Sequence, residues 1–138
     1  MDGEVPGFRL LSLANIETAE KLPTPFVRDE GFSLIDYATQ SFGVFQEDPV
    51  DVVWKVLPGA AKEARTWRFH PRQKIDEQSD GSLIVSFRAG GLLEMCWHLF
   101  TWDGEIEVLE PESLKQMMAR KLAQCADAYP GYGAGAAF

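Results

Sequence analysis

The sequence predicts an α+β fold: a ferredoxin-like α/β sandwich of βαββαβ order plus a C-terminal helix, preceded by a residual strand and a connecting helix. Three observations carry this. Asp80-Gly81 separates two extended runs and is the strongest short-range hairpin signal in the chain. Leu92 to Trp102 has the apolar density of a buried helix, bounded by Gly90-Gly91 and Asp103-Gly104. Alternating runs at VDVVWKVLP and EIEVLEP place a strand before and after this unit. From Val50 the order is strand, helix, strand, strand, helix, strand, then one more helix. The simplest packing is a four-stranded antiparallel sheet with two helices on one face and the strands from Val50 and Ser82 in its centre.

Taken in order, Phe8 to Ile16 alternates loosely and reads as one strand, which requires a partner sheet to be stable. Together with the turn-like start at DGEVPGF, it fits the end of a domain whose earlier part is missing. Glu17 to Pro25 is a polar turn. Phe32 to Phe42 reads as a helix, with Ser33 as N-cap and Asp36 three residues on. Gly43 stops it. In VDVVWKVLP, Val52, Trp54 and Val56 share one face. Gly59 to Trp67 reads as a short helix. A final helix starts at Pro111, with Leu114, Met117, Met118, Leu122 and Cys125 in one apolar stripe, expected to serve the core or a dimer seam. The tail YPGYGAGAAF has the composition of mobile chain. The expected segments are 1–30 (residual strand and linker), 31–48 (connecting helix), 49–128 (ferredoxin-like unit) and 129–138 (tail).

The 138 residues suit one domain or one domain plus a fragment, with apolar content enough for a core. A net charge of −8 argues against a binder that uses its whole surface for nucleic acid, while leaving room for a local basic patch. No apolar run reaches the roughly 20 residues of a membrane span. No signal-peptide core follows MDGEVPGF, so a cytoplasmic location is expected. Cys96 and Cys125 read as buried reduced thiols. His70 and His98 lack metal-ligand spacing, and no metal or cofactor is expected.

One basic stretch stands out. KEARTWRFHPRQK carries Lys62, Arg65, Arg68, His70, Arg72 and Lys74 against Glu63, with Trp67 and Phe69 interleaved. Guanidinium groups neutralise phosphates and aromatic faces stack on unpaired bases. The same residues also read as a solvated charged face with two core aromatics. Glu105, Glu107, Glu110 and Glu112 form an acidic run whose structural reading is preferred, since no acid–base partner accompanies it. No Gly-rich phosphate loop, GxSxG, HExxH or CxxC is present, and SLIVSFRAG does not match the aromatic signature of an RNA-recognition motif. No catalytic residues are assigned, and no enzyme is expected.

WRFHPRQKIDEQSDGSLIVSF, the helix containing CWHLFTWDG, and EIEVLEPESLKQMM together resemble the C-terminal extension, the WCX segment, of bacterial WYL-domain transcriptional regulators. The resemblance covers Val50 to Leu122 best. FRLLSLANIETAEKLPTPF is similar to the last strand of the WYL barrel, and FSLIDYATQSFGVF to the connecting helix. The Trp-Tyr-Leu motif, most of the barrel and the helix-turn-helix are absent. Arg9 matches one of the arginines common on the last barrel strand, whereas Ser12 and Asn15 replace others. The resemblance implies homodimerisation and a share in sensing an effector such as single-stranded nucleic acid or a nucleotide. It also implies a parent protein that binds DNA through a domain not in this chain. The ligand candidates are Arg9, Arg65, Arg68, His70, Arg72 and Lys74. The alternative is a free-standing, non-enzymatic module that binds a small anion or single-stranded nucleic acid.

Overall fold

A computed structural model of the chain describes residues 7–9, 11–44 and 46–131. The chain divides into two compact units, 1–32 and 33–138.

In the first unit the strand expected over Phe8–Ile16 does not form among the described residues. A single 3-10 turn, Leu13–Asn15, stands there instead. The physical reason is the one that made the strand conditional: an extended run without a neighbouring strand has nowhere to place its N–H and C=O groups. The side chains of Leu11, Leu13, Leu22, Phe26 and Val27 are exposed.

The second unit has the order α1 (Leu34–Thr39), β1 (Val50–Val56), α2 (Ala61–Ala64), β2 (Lys74–Glu77), β3 (Leu83–Ala89), α3 (Leu92–Phe100), β4 (Ile106–Glu110) and α4 (Glu112–Ala128). The strands form one antiparallel sheet in the order β2-β3-β1-β4. That is the ferredoxin-like arrangement, with the strands from Val50 and Leu83 in the centre.

Strand alternation sets the two faces. Val52, Trp54 and Val56 of β1, Leu83, Val85, Phe87 and Ala89 of β3 and Ile106 of β4 are buried toward the helices. They meet Ala61 and Ala64 of α2, Met95, Cys96 and Leu99 of α3, and Leu114 of α4. Trp54 lies at the middle of an aromatic cluster, with Phe69 and Phe87 edge-on at 5.5 and 5.1 Å between ring centroids.

Local chemistry explains several boundaries. Ser33 Oγ accepts from the Asp36 N–H at 3.2 Å, which caps α1 as its sequence indicates. The hairpin turn closes on Asp80, whose Oδ1 accepts from the Ser82 N–H and hydroxyl at 2.9 and 2.5 Å. Asp103 and Gly104 both take positive φ, 49° and 82°, and end the α3 segment.

Elements shorter than expected share one cause. Gly59–Trp67 is helical only at Ala61–Ala64, after a 3-10 turn at Pro58–Ala60, and α1 stops at Thr39. α2 buries only Ala61 and Ala64 and α1 buries none of its residues, too little packing to extend a helix whose propensity alone is marginal. By contrast α4 runs to Ala128, well past its last core contacts at Met117 and Met118. Leu122 and Cys125 are therefore exposed, which corrects the expectation of two buried thiols: Cys96 is buried and Cys125 is not. The tail lies, from residue 132 on, outside the described residues.

Candidate functional site

The connection between α1 and β1 is pinned to the end of β3. The Phe42 N–H donates to the Gly90 carbonyl at 2.9 Å, and the Gly90 N–H to that of Gln40 at 2.8 Å. Glu47 Oε2 accepts from the Gly91 and Leu92 N–H groups at 3.1 and 3.2 Å, placing a carboxylate on the N-terminus of α3. Glu94 answers by accepting from the Val44 N–H at 3.0 Å.

This clamp holds the end of α1 beside the loop before β2, and His70 completes the join. Its ring is 2 % exposed and stacks on Phe87, with centroids 5.2 Å apart and planes 10° from parallel. Nε2 is 2.8 Å from the Thr39 carbonyl, and Nδ1 accepts from the Arg72 N–H at 3.1 Å. These two bonds fit the tautomer with its proton on Nε2. Both ring nitrogens have partners within the fold, so His70 ties this loop to the end of α1.

On the sheet face turned away from the helices lies a groove of about 500 Å³. Antiparallel register assembles its floor: Lys74 of β2 pairs with Ser86 of β3, Ser86 with Val53 of β1, and Arg88 with Asp51. Thr39 and Gln40 at the end of α1 and Arg72 close one side. Three cations therefore border it, Arg72, Lys74 and Arg88. Arg72 Nη2 bonds Asp36 Oδ1 at 2.6 Å, and Arg88 Nη1 bonds Asp51 Oδ1 at 3.0 Å. Lys74 has no ion pair among the described residues. The Arg72 guanidinium holds the Asp36 carboxyl below its ordinary range, with the Ser33 hydroxyl helping. Three cations against two carboxylates leave a positive excess in a protein that is otherwise acidic, and the arginine pairs are exposed enough to exchange partners.

The structure thus brings together two of the residues singled out from sequence, Arg72 and Lys74, and adds a third, Arg88. Arg65 turns elsewhere: its Nε bonds Glu77 Oε1 at 2.7 Å, and Glu77 pairs with the core-facing Leu83. Arg68 is exposed and does not line the groove. Arg9 is exposed in the first unit. The missed residue, Arg88, was readable as an outward-facing position in SLIVSFRAG, since it alternates with the apolar Val85, Phe87 and Ala89. Its pairing with β1 required the register.

The fold and groove define a small α+β domain with an antiparallel sheet, one face packed by helices and the other carrying a partly neutralised cationic groove. The WCX domain family matches residues 48–126, more than half of the chain, and the chain belongs to this family. No curated protein matches it. No helix among the described residues is long and apolar enough to cross a membrane.

Proposed function

We propose that this chain is the C-terminal regulatory segment of a cytoplasmic, WYL-type bacterial transcriptional regulator. In this reading it has two tasks, self-association and a share in sensing an anionic effector of nucleic-acid or nucleotide type. It acts by binding and not by catalysis. Membership of the WCX family supports the regulatory role. The single observation that carries effector sensing is the convergence of Arg72, Lys74 and Arg88 on one groove of the sheet. Guanidinium groups fit phosphate oxygens two at a time, and an ammonium without an ion pair adds a point charge for a backbone or a terminal phosphate.

Self-association is supported by α4, whose distal half leaves Leu122 54 % exposed, with Cys125 exposed one turn further on. Exposed apolar side chains in a row at helical spacing suit a seam with a second copy. In the parent regulator, DNA contact belongs to a domain outside this chain.

The test is made in such a regulator. Removal of the segment matching 49–128 is expected to abolish the effector response and to weaken dimerisation. A response equal to that of the intact protein contradicts the proposal. A free-standing anion-binding module is the second reading, and the groove alone favours it. It predicts the same ligand contacts in the isolated chain without any dependence on a partner domain.

A further inference from the structure

On the helical side of the sheet, apart from the groove, lies a second recess of about 420 Å³. Its two aromatic walls are Trp67, after α2, and Trp102, after α3. Their indole planes stand at 89° with centroids 5.7 Å apart, so they adjoin as two walls instead of stacking. Trp102 is almost fully buried, whereas Trp67 is 45 % exposed and turns part of its ring to solvent. The rim carries Glu63, Asp103 and Glu105, and no lysine or arginine lines the recess. None of these three carboxylates takes part in an ion pair among the described residues, while Asp36, Asp51, Glu77, Asp80 and Glu112 all do.

We propose that this recess binds a small organic cation with an alkylated ammonium head. A face of indole attracts a cation through its quadrupole, most effectively when the cation is weakly hydrated. Tetraalkyl ammonium groups have that property, and two indoles at right angles offer them adjoining surfaces. The three carboxylates supply the countercharge from the rim. They do not gather into a set able to hold a metal ion among the described residues, which favours a diffuse organic cation over an inorganic one. The volume suits a small ligand. The site shares no residue with the cationic groove and stands or falls independently of it.

The same head group occurs on free molecules such as choline and on methylated lysine side chains. Tetramethylammonium, choline and a trimethyllysine peptide are therefore titrated into the full chain, with sodium chloride at matched ionic strength as control. The readout is the indole N–H signals of Trp67 and Trp102 in nuclear magnetic resonance spectra. Saturable shifts of these signals, absent with sodium chloride, are expected. Trp67→Leu, at an already half-exposed position, should weaken binding roughly tenfold. Glu63→Gln with Glu105→Gln should weaken it and flatten its salt dependence. Tighter binding of the peptide than of choline assigns the head group to a partner side chain, and the reverse order assigns it to a free molecule; either upholds the site. Non-saturable shifts, equal shifts with sodium chloride, or affinity unchanged in both variants overturn it.

Discussion

Arg72 reaches from the loop before β2 to α1, where its Nη2 meets Asp36 Oδ1 at 2.6 Å. The pair closes one side of the cationic groove and holds Arg72 in a partly satisfied state. An incoming anion must share this guanidinium with Asp36 or displace it. Asp36→Asn is therefore expected to tighten anion binding several-fold, since hydrogen bonds to a neutral amide compete less than those to a carboxylate. Fold stability should barely change, because the pair is exposed. Inorganic triphosphate titrated by calorimetry, together with a thermal melt, checks both.

Gly90 sits where the α1–β1 connection crosses the end of β3. A Cβ there would fall 2.3 Å from the Glu47 carbonyl oxygen, and Glu47 is itself bound to the start of α3. Backbone must move to admit it. Gly90→Ala is expected to destabilise by about 1–3 kcal/mol, lowering the melting midpoint by several degrees. It should also loosen the side of the groove that Thr39 and Gln40 form. Urea denaturation of the variant and the parent chain measures the first effect.

The two halves of α4 should respond differently to truncation. Leu114 is fully buried, and Leu114→Ala should cost about 2–5 kcal/mol through lost burial and the cavity left behind. Leu122→Ala should stay within about 0.5 kcal/mol for the isolated protomer, since the side chain is already exposed. If α4 forms the seam between copies, Leu122→Glu shifts the protein to monomer without loss of fold, which sedimentation velocity reads directly.

Acid should weaken the fold in two stages. Burial pushes the His98 imidazole below its ordinary value of 6.5, and its Nε2 accepts from the Trp102 indole N–H at 3.1 Å. Near and just below pH 6.5 the unfolded chain takes up a proton that the folded chain does not. The His98 contribution is therefore complete above 6.5 and is lost as pH falls from there toward the lower folded value. Asp36 and Asp80 are held below 3.8, the first chiefly by Arg72 and the second by the Ser82 hydroxyl and N–H. Their contributions are complete above 3.8 and are lost as pH falls through their folded values. Melting midpoints should thus decline as pH falls below 6.5, then again as it falls below 3.8. His98→Gln should remove the first decline.

Much of this fold is written in local sequence. The Asp80-Gly81 turn, the Ser33 cap, the Asp103-Gly104 stop and the alternation of Val52, Trp54 and Val56 depend on near neighbours, and all are present in the structure. Positions set by distant contacts were harder to read. Arg65 and Arg68 belong to the same basic run as Arg72 and Lys74, yet the 3-10 turn and short helix before them carry the first two away from the groove. The partners of the two His70 nitrogens, the Thr39 carbonyl and the Arg72 N–H, emerge only with the fold. Arg88 became a groove residue only through its register opposite Asp51. Among the described residues of 8–16 the expected strand is absent, because its alternation specifies one face but supplies no neighbour.

The most direct measurement of the central claim is binding of a short labelled single-stranded oligonucleotide at low and moderate salt, comparing the parent chain with Arg72→Ala/Arg88→Ala and with Arg65→Ala/Arg68→Ala. The groove predicts salt-sensitive binding that the first pair of substitutions abolishes and the second leaves largely intact. Equal losses in both pairs, or no binding at low salt, would contradict a sensing role for this face of the sheet.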